Sequence, residues 1–245
     1  MQQPLRPSRA RPRTIRPCQR PPPAVLRELK RLGTAQNVKI DRLHGAGENV
    51  YGVAFGELRP LAKRLGTDHE LALWDSGNAD ARCLATMVAD PAAMTRAEAD
   101  AWVEGIDYCL HADLVGGLVA RTPFALAAID DWTESPEDFV RQTGYVVLAS
   151  YLRSGKPPLS DAACRRWLQR IEREIHDSPN RSRHAMNGAV IAVGAFRPGL
   201  APEAIAAAER IGTVEVDHGE TGCKTPAAGP YIERALDRKK TAATA

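Results

Sequence analysis

From residue 24 onward apolar residues recur three and four positions apart, and no stretch alternates apolar with polar as a half-buried strand would. Val25, Leu26, Leu29 and Leu32 share one helical face, and Gly33 ends it. Thr34 can cap a second helix to about His44, before Gly45-Ala46-Gly47 breaks the chain. Phe55, Leu58, Leu61, Ala62 and Leu65 mark a third, closed by Gly66. Thr67 or Asp68 caps a short helix containing Leu71, Leu73 and Trp74, with Gly77 as its stop. Asn78 opens the next through Leu84 and Val88, and Asp90-Pro91 closes it. Thr95-Arg96-Ala97-Glu98 is a capping box, in which two side chains satisfy free N–H groups reciprocally. Further helices are expected at about 113–121 and 123–132, and from Ser135-Pro136-Glu137-Asp138 through Leu152. Others run from Ser160 through Ile175, from Asn180 through Val193, over 202–211, and from Thr225-Pro226 through Ala235.

Helices of this length joined by short turns build an α-bundle or an α-solenoid. Corresponding pairs recur about every 35–40 residues, a period that HEAT-type repeats allow. The expected fold class is therefore all-α, an α-α superhelix of HEAT-like helical repeats. One domain is expected over 24–240, between a disordered basic extension (1–23) and a short disordered tail (241–245).

Composition sharpens this in two ways. Aromatic residues are only 5% of the chain against 44% hydrophobic, so alanine and branched aliphatics have to build the core. The net charge of +3 is uneven, because Arg6, Arg9, Arg11, Arg13, Arg16 and Arg20 lie in the first 23 residues without an acid. Removing those six from 33 leaves 27 basic residues against 30 acidic ones. A polyanion-binding face must then be a local cluster of cations, since phosphate contacts need basic groups on one side. Cys18, Cys83, Cys109, Cys164 and Cys223 are odd in number and widely spaced, which fits reduced thiols and a cytoplasmic protein. No apolar run approaches the ~20 residues of a membrane span, and the N-terminus lacks a secretory apolar region. Seven prolines up to Pro23 argue against the amphipathic helix of a transit peptide. No membrane partner is expected, and the chain is read as a monomer.

Several runs, in order, resemble one family. They are Tyr51-Gly52-Val53, Leu58-Arg59-Pro60-Leu61-Ala62-Lys63, Leu73-Trp74-Asp75-Ser76-Gly77 with Asp80-Ala81-Arg82, and Ala89-Asp90-Pro91 with Met94-Thr95. Val214-Glu215-Val216-Asp217-His218-Gly219-Glu220-Thr221, with Cys223-Lys224-Thr225, resembles a divergent subgroup. Together these are similar to the AlkD-like DNA alkylation repair proteins, the HEAT-like repeat DNA glycosylases. The resemblance implies duplex DNA held on a concave basic face and excision of cationic alkylated purines without a cofactor. That chemistry needs a carboxylate beside the sugar as C1′ becomes cationic, aromatic faces near it, and an Arg on phosphate.

Carried over position by position, the carboxylate falls on Asp113, within Asp107-Tyr108-Cys109-Leu110-His111-Ala112-Asp113. The aromatic position is Cys109 and the middle acid is Leu110. Tyr108 is adjacent, but one residue turns a helical side chain by about 100°. The family's phosphate-gripping Arg falls on Gln142, with Arg141 one residue before. Its Trp and following Arg fall on Gly188 and Ile191. The fold carries over better than the activity, and whether the chain is an enzyme stays open.

Each candidate has a plainer alternative. Asp113 is either the catalytic anion or an N-cap for Leu114, Val115, Leu118 and Val119. His111 either assists catalysis or complements helix-end carbonyls. Arg141, Gln142, Arg181, Arg183 and His184 form a DNA-contacting stripe, or a solvated face with ion pairs. Arg153 belongs to the same alternatives, whereas Arg165, Arg166, Arg170 and Arg173 alternate with Glu172 and Glu174 and read as a solvated face. Asp217, His218, Glu220, Cys223 and Lys224 form either an ordered loop or a site with an activated thiol. Their spacing matches no closed zinc site, so no metal is expected. The four tryptophans read as core. Three functions follow: a DNA-binding repair protein with Asp113 among arginines, a non-catalytic nucleic-acid- or protein-binding module, or an enzyme built on the 217–223 loop with His111 or His184.

Overall fold

The computed structural model describes residues 23–67, 70–154 and 157–244, and among them there is no strand. Thirteen α-helices are described: α1 (Pro23–Leu32), α2 (Ala35–Leu43), α3 (Phe55–Leu65), α4 (Glu70–Asp75), α5 (Ala79–Val88), α6 (Arg96–Glu104), α7 (Cys109–Val119), α8 (Ala125–Trp132), α9 (Asp138–Ser154), α10 (Asp161–Glu174), α11 (Asn180–Phe196), α12 (Ala201–Ile211) and α13 (Ala228–Thr244). The starts that local chemistry announces are where it puts them. Thr34, Asn78 and Ser160 each accept a backbone N–H three residues on, and Thr95 and Glu98 close their reciprocal box. Each such cap contributes about 1 kcal/mol.

From α3 onward the odd helices α3, α5, α7, α9, α11 and α13 lie side by side in one row, and α4, α6, α8, α10 and α12 back them. This is the expected HEAT-like stacking of helix pairs. Leu84, Leu118, Leu148, Ile171 and Met186 are fully buried within the stack, each contributing about 1.5–3 kcal/mol. Glycines let the row close up. A Cβ on Gly116 of α7 would fall 2.6 Å from Val146 Cγ1 of α9, and one on Gly144 would fall 2.8 Å from the Thr133 nitrogen. Trp74 and Trp102 stack at 4.4 Å in the core, and Trp132 donates its N–H to Asp100. Trp167 is half-buried, edge-on to Tyr145 at 6.1 Å.

Four expectations are corrected. α7 begins at Cys109, so Asp113 lies inside it and caps nothing. α13 begins at Ala228 rather than behind a Thr225 cap. It runs through Thr244, so helix occupies 241–244 where an unstructured tail was expected. The α10 arginines are not merely a solvated face: Arg170, only 16% exposed in its side chain, pairs with Glu134 and Glu174 and donates to the Thr133 carbonyl. Asp68, Cys18 and the basic extension apart from Pro23 lie outside the described residues. No single described helix is long and apolar enough to cross a membrane.

Candidate nucleic-acid interface

The N-terminal ends of α7, α9 and α11 carry the site. Asp113 stands in the second turn of α7 and Gln142 in the second turn of α9. Gln142 Nε2 donates to Asp113 Oδ1 at 3.1 Å and to the Cys109 carbonyl at 3.2 Å. Protein surrounds Asp113 on several sides, yet the residue remains solvent-exposed. That crowding pushes its carboxyl up to about 6, against the opposing pull of the Gln142 bond and the nearby Arg181 charge.

Arg181 belongs to the first turn of α11. Asp138 of α9 fixes this turn by accepting from the Arg181 and Ser182 backbone nitrogens at 2.9 and 2.7 Å and from Ser182 Oγ at 2.8 Å. One carboxylate thus welds two adjacent helices where the cations sit. Arg141 donates its Nε to the Ser135 carbonyl. Among the described residues, Arg141, Arg181, Arg183 and Lys224 form no ion pair, and the Arg183 Nε and Gln142 Oε1 are buried without a partner. The ion pairs of the plainer reading are not found for these arginines among the described residues. Arg165 and Arg210, by contrast, are tied to Glu203 and Glu172.

The 217–225 loop adds two separate arrangements. His184 Nδ1 and His218 Nε2 both meet the Thr225 hydroxyl, at 3.1 and 3.0 Å, and the two rings stand edge to face. Thr225 is therefore spent on histidines from two elements. Burial lowers both imidazoles, helped by Arg181. Cys223 instead meets His44, its Sγ 3.5 Å from Nε2, while His44 Nδ1 bonds the Ile40 carbonyl at 2.8 Å. Hydrogen bonding by Thr221 and then His44 holds this exposed thiol below its ordinary value. Asp217 bonds Asn180 at the start of α11 through both backbone groups and folds its carboxylate onto the Gly219 N–H. No hydrogen bond or ion pair engages the Glu220 side chain among the described residues.

The expected convergence of the loop is split: His218 meets His184 through Thr225, whereas Cys223 turns to His44 and His111 joins neither group. His111 is buried, bonded to the Ala79 carbonyl and wedged against Trp74 and Tyr108, with its charge disfavoured by that burial. His44 is the functional-looking residue that sequence reasoning missed. It lies 179 positions from its partner, and no local signal marks it.

A family model described as DNA alkylation repair enzyme matches residues 25–226. This chain belongs to the DNA alkylation repair family. An uncharacterised Listeria innocua protein is 31% identical over 86% of this chain and 95% of the relative. An uncharacterised Listeria monocytogenes protein is 30% identical over 87% and 96%. A solved structure superposes with a TM-score of 0.80 at 29% identity, covering 89% of this chain and 94% of the other. It comes from a group described as related to the HEAT-like repeat DNA glycosylases, with affinity for branched DNA structures.

For this member of the family, Asp113 is open and faces Gln142, but the matched aromatic positions hold no ring. Cys109 touches the His44 carbonyl through its thiol. A Cβ on Gly188 would meet no heavy atom within 4 Å, so the space beside α11 is vacant. Tyr108 faces elsewhere, into the contacts around Ala46, Val50 and Ala79.

Proposed function

We propose that this protein binds branched DNA through the N-terminal ends of α7, α9 and α11, as a cytoplasmic monomer, without excising a base. The observation that carries this is that Arg181, beside Asp113 at the start of α11, and Arg141, Arg183 and Lys224 form no ion pair among the described residues. Unneutralised guanidinium groups held by a fixed helix start suit phosphate oxygens. The solved relative's group supports a junction as the ligand rather than a linear duplex. The unpaired Cys83, Cys109, Cys164 and Cys223 support a reducing compartment.

The test is fluorescence anisotropy with a four-way junction and a linear duplex of equal length. The protein binds the junction more tightly, and Arg181→Ala with Arg183→Ala weakens both. Equal binding of junction and duplex removes the branch preference, and an unaffected double variant removes the interface.

Excision is the second reading, and the openness of Asp113 beside Arg181 favours it. A carboxylate there is placed to stabilise a sugar cation. Against it stand the bond from Gln142 and the absence of a ring at Cys109 and Gly188. Release of methylated purines from methylated DNA by the wild type, abolished in Asp113→Ala, would establish excision.

A further inference from the structure

A second site lies apart from the DNA-facing cations, where α2, α3, α5 and the residue before α7 meet. It is a cavity of about 180 Å³. Val53, Phe55 and Leu58 supply apolar wall, and Asn37, Asp41 and Tyr108 supply polar edge. An apolar cavity of about 150 Å³ accommodates benzene, so this one accommodates a single substituted ring.

The polar groups are unevenly used. Asp80, also on the wall, accepts the N–H groups of Tyr51, Gly52 and Val53 at 2.6, 3.2 and 2.7 Å, so its charge is compensated. Asp41 is half-buried, and its carboxylate has no hydrogen bond or ion pair among the described residues. Burial and the neighbouring Asp80 charge both disfavour its ionised form. Tyr108 is only 5% exposed, and its hydroxyl likewise has no partner among the described residues. The Tyr108 hydroxyl, unlike that of Tyr145, is not shut away from solvent, so it can donate to a ligand in the cavity, and an unpaired, partly buried carboxylate is costly. Asn37 gives its amide N–H to the Gly52 carbonyl, which leaves its own oxygen as a second acceptor.

We propose that this cavity binds a flat aromatic cation of one ring, an amidinium or protonated heteroaromatic, with Asp41 against its N–H donors and Phe55 and Tyr108 along its ring. The acceptors select a donor-rich cation, and the apolar walls with aromatic side chains select a planar ring over a hydrated ammonium.

Isothermal titration of the full chain with benzamidine, benzamide and benzylamine tests this. Benzamidine binds at least tenfold more tightly than neutral benzamide, and more tightly than benzylamine, whose charge sits on a tetrahedral group. Asp41→Asn lowers benzamidine affinity at least tenfold and leaves benzamide affinity unchanged. Tyr108→Phe lowers it about threefold. Equal affinity for benzamidine and benzamide, no binding of either, or an Asp41→Asn protein that binds benzamidine as wild type does would overturn the assignment. The comparison of the two ligands on the wild type decides the matter even if a variant fails to fold.

Discussion

Gly116→Ala puts one methyl group into the seam between α7 and α9. The added Cβ falls 2.6 and 2.8 Å from Val146 Cγ1 and Cβ and 3.2 Å from the Thr143 carbonyl. Val146 is β-branched and the carbonyl is backbone, so neither moves aside cheaply, and the helices must part. Overpacking of this kind costs about 1–3 kcal/mol. Against it, alanine gains about 0.5–1 kcal/mol over glycine inside a helix. The net is a loss of up to about 2.5 kcal/mol and centred near 1 kcal/mol, or a melting temperature lower by about 2–4 °C at the centre for a chain of this size. Gly117 is the internal control, because a Cβ there meets nothing within 4 Å. Gly117→Ala keeps only the helix gain and melts about 1–4 °C higher. The same displacement lengthens the 3.1 Å bond from Gln142 to Asp113 in Gly116→Ala and leaves it in Gly117→Ala. Calorimetry on the three proteins is the assay. A Gly116→Ala protein as stable as Gly117→Ala would refute the reasoning about the seam.

Other outcomes follow from the same geometry. Asp80→Asn strips the charge from a carboxylate holding three N–H groups and lowers stability by roughly 3 kcal/mol; urea titration at neutral pH reads this, and a loss under 1 kcal/mol would count against it. The raised Asp113 value means that the folded state holds its proton more tightly than the unfolded chain, with values near 6 and 3.8. This group therefore lowers stability as pH rises from about 4 to 6. Asp113→Asn accordingly stabilises at pH 8 and is neutral near pH 3.5, as melting curves at the two values will show; equal shifts at both would contradict the assignment. Brief iodoacetamide treatment labels Cys223 before Cys83, Cys109 and Cys164 in a peptide map, and His44→Gln slows that labelling, because His44 helps hold the thiol low. An unchanged Cys223 rate in His44→Gln would show that the pairing does not activate it.

The fold was largely legible because most helix starts carry their own chemistry within three residues, as at Thr34, Asn78, Thr95 and Ser160. α7 was misplaced for the complementary reason. Its first residue follows Tyr108, which makes no side-chain cap bond, while Asp113 ahead of Leu114 and Val115 imitates a cap. Thr225 misled in the same way, since its hydroxyl answers to His184 and His218 rather than to the helix beside it. Along the chain, Gln142 could be matched to an Arg position, but only the packing of α9 on α7 turns it onto Asp113. The Asp41 cavity gave no motif at all, because its wall is assembled from residues scattered from Asn37 to Leu110.

The salt dependence of junction binding tests the interface most directly. Each phosphate contact contributes about 0.9 to the slope of log affinity against log salt. The account predicts a steep negative slope for the wild type, reduced by about two units in the Arg181→Ala, Arg183→Ala double variant. Affinity that does not change with salt, or a double variant with the wild-type slope, would contradict it.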